Sequence, residues 1–235
     1  EGVARALVNK GVALGQMNRP EDEIAVYNKV VKRFSASERP ESLEQVAMAL
    51  VRKGITLNRM NRSEDAFAVY DEVVERFGES EELKLLEKAA MALVNKGVAL
   101  REMDRPEDAI AVYDNVVERF GESEESELLE KVAGALVNKG VALMKMDRPE
   151  DAIAVYDEVV ERFSESEIEA VSITVSKAIN NKGGTLLKIG DLEGAMAAYI
   201  AAQELWPENI LAIHGGFNTL RKMNKENEAF SYLDE

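Results

Sequence analysis

The chain has 235 residues, a formal charge of −15 and a pI near 4.7, so its surface repels nucleic-acid phosphates and anionic lipid and suits a basic or neutral protein partner. It has no cysteine, which excludes disulfides, thiolate metal sites and a cysteine nucleophile. No apolar run approaches a membrane span and no signal peptide is visible, so a cytoplasmic protein is expected.

From its start the chain copies itself. The nonapeptide Ala92 to Leu100 recurs unchanged from Ala135 to Leu143, 43 residues later, with copies further back at Ala49 and Ala6 and a degraded one at Ala178. A chain built this way is a stack of one supersecondary unit, not a globule around one core. The units fall at about 3–45, 46–88, 89–131 and 132–174, then at 175–208 with a shorter spacing, and 209–235 reads as a partial repeat or C-terminal cap. Trp206 and the polar Lys222, Asn224, Lys225 and Glu226 mark that divergent end. The first residue, Glu1, lies inside a repeat and Glu235 falls partway through a helical pattern, as in a fragment of a longer protein.

The third copy shows the unit. Leu86, Ala90, Leu93, Gly97 and Leu100 lie four, three, four and three residues apart, one face of a helix. Ser80, ahead of a Glu-rich turn, predicts an N-cap and a helix A from about Ser80 to Met103, and Ser37, Ser123 and Ser166 repeat that signal. Asp104-Arg105-Pro106-Glu107-Asp108 then opens a helix B, with Pro106 in its first turn. Helix B runs through Ala109, Ile110, Val112, Tyr113, Val116, Val117 and Phe120 to a stop at Gly121, matched by Gly78, Ser35 and Ser164. The short A–B connection makes the two helices antiparallel. Gly11, Gly54, Gly97, Gly140 and Gly183 in mid-A, with Ala66, Ala109, Ala152 and Ala195 early in B, let the helices approach closely, and Tyr27, Tyr70, Tyr113, Tyr156 and Tyr199 supply the large knob. Met17, Met60, Met103 and Met146 end helix A and are expected to fill gaps in the core.

These residues resemble the tetratricopeptide repeat. Ile179, Gly183, Leu186, Ala195, Tyr199, Ala202 and Pro207 occupy the family's places in order, and the step from Ala195 to Ala229 is the family's usual 34 residues. The resemblance covers essentially the whole chain. It implies an all-α fold, an α-solenoid of antiparallel helix pairs stacked into a right-handed superhelix. The 43-residue steps are nine residues longer than usual, about two and a half helical turns. The surplus falls in segments such as Gly78 to Lys88 and predicts an N-terminal extension of helix A, with a short separate helix as the alternative. Where the family has Leu before the glycine, this chain has Lys10, Lys53, Lys96, Lys139 and Lys182, so the inner packing must differ.

The resemblance further implies that helix A lines a concave groove. Its positions here are Val8, Asn9 and Val12; Val51, Arg52 and Ile55; Val94, Asn95 and Val98; Val137, Asn138 and Val141; and Asn180, Asn181 and Gly184. An asparagine offers both a donor and an acceptor to an extended backbone, so Asn9, Asn95, Asn138 and Asn181 form a ladder suited to a peptide of any sequence, flanked by shallow valine pockets. Duplication would copy these residues whether or not they serve a ligand. Some relatives clamp a terminal carboxylate between lysines and asparagines; the lysines here lie away from the clamp's usual places.

Catalysis needs a singular constellation, and this chain is built of copies. His214 is the only histidine and has no Ser or Asp arrangement near it. No phosphate loop, His-Glu-x-x-His helix or nucleophile elbow occurs. Glu122, Glu124, Glu125, Glu127 and Glu130 lack a calcium loop's pattern and read as a solvated helix face. No enzymatic activity, metal or cofactor is expected. The function expected is a non-catalytic protein–protein interaction scaffold holding a peptide or helix of a partner in the A-lined groove. The alternatives are an array that self-associates head to tail or by swapping into a homo-oligomer, and a regulatory repeat region of a larger effector protein.

Overall fold

A computed structural model describes residues 2–234, with side chains described through residue 232; Glu1 and Glu235 lie outside the described residues. Among these, twelve helices follow one another with no strand: α1 (Gly2–Gln16), α2 (Pro20–Phe34), α3 (Pro40–Arg59), α4 (Ser63–Phe77), α5 (Leu83–Glu102), α6 (Pro106–Phe120), α7 (Ser126–Lys145), α8 (Pro149–Phe163), α9 (Glu169–Ile189), α10 (Leu192–Leu205), α11 (Ile210–Lys222) and α12 (Glu226–Asp234). Odd numbers are A helices and even numbers B helices. Fourteen residues precede the central glycine in α3, α5, α7 and α9, but only six precede Gly216 in α11. The surplus length is therefore two turns of continuous helix at the N-terminal end of A.

Each A–B turn has one chemistry. Asn18, Asn61, Asp104, Asp147 and Asn224 take left-handed backbone with φ between 55° and 62°, and Gly190 does so at 91°. Asn and Asp adopt this region more readily than other side chains. The next residue's N–H reaches back across the turn: Arg19 to the Leu14 carbonyl, Arg62 to Leu57, Arg105 to Leu100, Arg148 to Leu143, Asp191 to Leu186 and Lys225 to Leu220. That bond closes the end of helix A and turns the chain back. Arg19, Arg62, Arg105 and Arg148 then pair with Asp22, Asp65, Asp108 and Asp151 of the next helix, each at 2.6 Å.

Three local expectations are corrected. Helix α5 begins at Leu83 with Glu82 as N-cap, not at Ser80. The Ser80 hydroxyl accepts the Glu82 N–H at 3.1 Å, and Ser37, Ser123 and Ser166 accept those of Arg39, Glu125 and Ile168. The serine thus closes a turn just ahead of the helix, because a short hydroxyl reaches the amide two residues on. At the end of B, Gly78 has φ −71°, close to Ser35 at −59° and Ser164 at −63°, and Gly121 is not left-handed either. Right-handed backbone does not of itself need glycine, which is why serine serves at 35 and 164, whereas at Gly121 a methyl would lie 2.3 Å from the Val117 carbonyl oxygen. The methionines do not fill the core. Met17 and Met103 are 64% and 41% exposed and Met60 and Met146 half-buried, since they stand where A gives way to the turn.

The hairpin is held by its glycine–tyrosine pair. A methyl built on Gly11, Gly54, Gly97 or Gly140 would lie 2.3–2.4 Å from the ring of Tyr27, Tyr70, Tyr113 or Tyr156. The rings therefore sit directly on the A backbone, and all four are essentially fully buried. Fully burying a large side chain contributes about 1.5–3 kcal/mol. Ala66, Ala109, Ala152 and Ala195 are fully buried beside them.

The residues gather into two compact units, Glu1–Val116 and Val117–Glu235, dividing within α6. In the first, α2 packs on α1 and α3, α4 packs on α3 and α5, and the A helices α1, α3 and α5 touch in succession. In the second, α8 packs on α7 and α9, α10 on α9 and α11, and α12 on α11, while α7, α9 and α11 touch in succession. Among the described residues α2 does not pack on α4, nor α8 on α10. Within each unit, successive A helices thus touch one another while these B helices do not.

Candidate functional site

In the second unit α7, α9 and α11 border two adjoining cavities of about 460 and 340 Å³ that share Val141, Asn180, Asn181 and Leu211. Five of the expected groove residues meet here: Val137, Asn138 and Val141 from α7, and Asn180 and Asn181 from α9, all half-buried. The Asn138 amide donates to the Gly134 carbonyl at 3.0 Å, which ties it to its own helix. Asn180 Oδ1 is buried with no hydrogen-bond partner, a state that costs about 1–3 kcal/mol. Asn180 stands where earlier copies have Val8, Val51, Val94 and Val137, and Gly184 where they have Val12, Ile55, Val98 and Val141. A methyl on Gly184 would meet only the Tyr199 hydroxyl, at 3.6 Å, so the helix face is cut away at that point.

The far wall is Ile210 and Leu211, 66% and 68% exposed. They are placed by Asn209, whose side-chain oxygen accepts the Ala212 N–H at 3.2 Å and caps α11. The Asn209 amide donates to the Ser176 hydroxyl at 3.0 Å, and that hydroxyl donates to the Ala202 carbonyl at 2.9 Å. This buried chain of bonds locks α11 to α9 and α10. Sequence reasoning missed these four residues, although an Asn directly before an apolar run is a helix-start signal.

The first unit is different. Val8 and Val51 are 4% and 0% exposed, so these two expected groove residues are not available to a ligand. They belong to the core of a stack whose successive A helices touch. Asn9 is exposed on α1, and Val94, Asn95 and Val98 are half-buried on α5. Val12, Arg52 and Ile55 border a cavity of about 230 Å³ whose wall includes Glu23. Glu23 takes the place held elsewhere by Ala66 and Ala109, and it is 5% exposed. Its carboxylate accepts the Tyr27 hydroxyl at 3.0 Å and pairs with Arg59 at 2.8 Å. Gly15 makes room for it: a methyl there would lie 2.7 Å from Glu23 Oε2.

The tyrosines are held neutral. Burial, reinforced by Glu23 and opposed by Arg52 and Arg59, raises the Tyr27 hydroxyl well above its ordinary value. Burial and then Glu102 raise Tyr70 likewise, burial pushes Tyr113 up to about 12 against the opposing charge of Arg101, and burial raises Tyr199. None can serve as a base near neutral pH. The lysines before the glycines also find structural work. Lys96 pairs with Asp71 at 2.6 Å and Lys182 with Asp157 at 2.5 Å, each reaching the B helix of the preceding repeat. At the place of those aspartates, the helix ahead of Lys53 has Asn28.

Among the described residues no three His, Asp or Glu side chains are grouped to hold a metal, and no helix is long and apolar enough to cross a membrane. His214 is exposed on α11. No curated protein sequence compared with the chain matches it. Among solved structures the fold is similar to BtubC (BKLC) from P. vanneervenii, with TM-score 0.74 and 17% identity over 92% of this chain and 88% of that one. It is similar to PilW, a widely conserved type IV pilus biogenesis factor, with TM-score 0.66 and 13% identity over 99% and 91%. It is similar also to pilF of Pseudomonas aeruginosa, with TM-score 0.61 and 16% identity over 97% and 88%. At such identities the likeness is one of fold. The family model for the tetratricopeptide repeat matches residues 51–126, 94–167 and 137–210, and a second model of the same repeat matches 4–36. The matches run unbroken from 51 to 210, more than half of the chain, which therefore belongs to the tetratricopeptide repeat family, whose stacked hairpins are protein-interaction scaffolds and typically non-catalytic.

Proposed function

We propose that the A-helix face of this scaffold holds an extended segment of a protein partner, with the groove of the second unit as its principal seat. The observation that carries this reading is the open cavity in which Val137, Asn138, Val141, Asn180 and Asn181 meet the exposed Ile210 and Leu211. Asn180, half-buried on its wall, puts an amide where the other copies have valine. Asn181 offers a further amide along the groove, and Val137, Val141, Ile210 and Leu211 receive apolar side chains. The acidic surface favours a basic or neutral segment.

The test uses random peptides displayed on phage and selected against the full chain, followed by calorimetry on an enriched peptide. Asn180→Val and Gly184→Val restore the residues of the other copies and keep the helix. Each should weaken binding at least tenfold while leaving the melting temperature unchanged or higher. No enrichment, or unchanged affinity in both variants, would sink the groove reading.

Self-association is a second reading. Phe230 on α12 is 63% exposed, with its ring edge-to-face against Phe217 at 6.0 Å, and offers an apolar spot to another copy. Sedimentation over a concentration series should then show dimers or longer chains, and a monomer at every concentration removes this reading.

A further inference from the structure

We propose that the cavity between α8, α9 and α10 docks an amphipathic helix of a protein partner, one that carries a lysine or arginine beside its apolar stripe. The cavity shares no residue with the groove of the second unit, and the proposal does not depend on that groove. At about 550 Å³ it is larger than either groove cavity. Helices α8 and α10 both pack on α9 but not on each other, which leaves a trough with α9 as its floor. Ile153 and Val160 of α8 and Ile179 and Leu186 of α9 give the trough an apolar lining. The α10 wall is cut back. Gly194 stands where Asp22, Asp65, Asp108 and Asp151 stand, and Ala198 where Val26, Val69, Val112 and Val155 stand. Ala201 stands where Lys29, Glu72, Asn115 and Glu158 stand. Small side chains at a contact let a helix approach closely. Leu205, 40% exposed, follows Ala201 by one turn on the same face, where the copies have arginine. Both walls run from i to i+7, two turns of helix. That is the reach of the i, i+4, i+7 stripe by which an amphipathic helix enters a groove.

Charge decides the occupant. In each of the first four repeats an arginine ahead of helix B pairs with an aspartate in its first turn, as Arg148 does with Asp151 at 2.6 Å. Asp191 stands where that arginine stands and Gly194 where that aspartate stands. A neutral pair has become a lone carboxylate at the mouth of the trough. Asp191 Oδ1 accepts the Gly194 N–H at 2.9 Å and caps α10. The side chain is exposed and forms no ion pair among the described residues. On the floor Lys182 is already taken by Asp157, at 2.5 Å. Helix α10 adds Glu193 and Glu204 and has no basic residue. A cation is therefore the group this mouth lacks. The α10 face of a second copy would set carboxylates against carboxylates, which disfavours self-pairing here and favours a helix flanked by lysine or arginine.

The test is an NMR titration of the full chain labelled at its isoleucine methyls. Ile153 and Ile179 line this trough and Ile210 lines the groove, and Ile→Val variants assign the three signals. The probe is acetyl-Gln-Leu-Ala-Gln-Lys-Leu-Ala-Gln-Leu-Ala-Gln-Lys-Leu-Ala-Gln-amide, compared with counterparts that carry Gln or Glu in place of both lysines. The Ile153 and Ile179 signals should move saturably with the Lys peptide, several-fold more weakly with the Gln peptide and least with the Glu peptide. Asp191→Asn keeps a residue able to cap the helix and should lower the Lys peptide to the affinity of the Gln peptide. Ala201→Gln narrows the trough without adding charge and should weaken both. No saturable shift at Ile153 and Ile179 overturns the assignment, as does a preference for lysine that survives Asp191→Asn. A shift confined to Ile210 overturns it while leaving the groove reading standing. Shifts at Ile153 and Ile179 that follow the concentration of the chain without peptide would make a second copy the occupant and overturn it too.

Discussion

In the first unit the repeat is broken by charge. Glu23 enters a place kept for alanine and Arg52 a place kept for asparagine, and both sit against a small cavity beside Tyr27. In the second unit it is broken by subtraction. Asn180 replaces a valine with an amide that finds no donor, and Gly184 removes a side chain, leaving an open groove walled by Ile210 and Leu211. The packing is shared: glycine under tyrosine, alanine beside it, Asn or Asp at the turn. What the copies keep is what the hairpin needs, and where they differ a surface is freed from packing for another use.

The largest expected effect tests the shared part. Gly54→Ala in the first unit and Gly140→Ala in the second each place a methyl 2.4 Å from a tyrosine ring. Such overpacking costs about 1–3 kcal/mol, and denaturant unfolding should find similar losses in both. A large inequality would show that the two hairpins are not equivalent.

Alkaline titration tests the buried tyrosines. A hydroxyl whose folded pKa is raised keeps its proton after the unfolded chain has lost its own. Its contribution is complete below pH 10 and is lost as pH rises through the folded value, about 12 for Tyr113. Tyr27, Tyr70, Tyr113 and Tyr199 are raised in the same direction. Ellipticity should therefore hold to about pH 10 and fall as pH rises toward 12. Loss of ellipticity already complete below pH 10 would deny that the folded chain keeps these hydroxyls protonated.

A smaller effect isolates the polar cluster. Gly15→Ala should destabilise the native chain by crowding Glu23, yet stabilise the Glu23→Ala variant by up to about 1 kcal/mol, the ordinary helix preference of Ala over Gly. Gly134→Ala, with nothing within 4 Å, should stabilise directly. A double-mutant cycle with no coupling at Gly15 and Glu23 would deny that the two residues share a space. The smallest effect is at the inter-repeat ion pairs. Lys96→Met and Lys182→Met should each change stability by less than about 1 kcal/mol, because Asp71 and Asp157 remain half in water. Salt should shrink the difference further.

Much of the fold was legible in the residues. The spacing of Leu86, Ala90, Leu93 and Gly97 shows helix A, and the surplus before each glycine is extra helix. Less legible was the chemistry of the ends. Ser80 reads as an N-cap but closes a turn, because a hydroxyl serves several turns equally well. Of the groove residues, Val137, Asn138, Val141, Asn180 and Asn181 come together, but Val51 is in the core. Equivalent positions in successive copies differ in how much of them neighbouring helices cover.

Hydrophobic period, turn residues and the glycine–tyrosine pair together specify helices, hairpins and their order, because each depends on neighbours within one repeat. Which polar atoms remain without partners is decided only when helices from separate repeats meet. Arg59 reaches Glu23 across 36 residues and leaves Arg52 alone, and no helix brings a donor to Asn180. Hydrogen-bond satisfaction is a property of the packed neighbourhood, not of the segment that carries the atom.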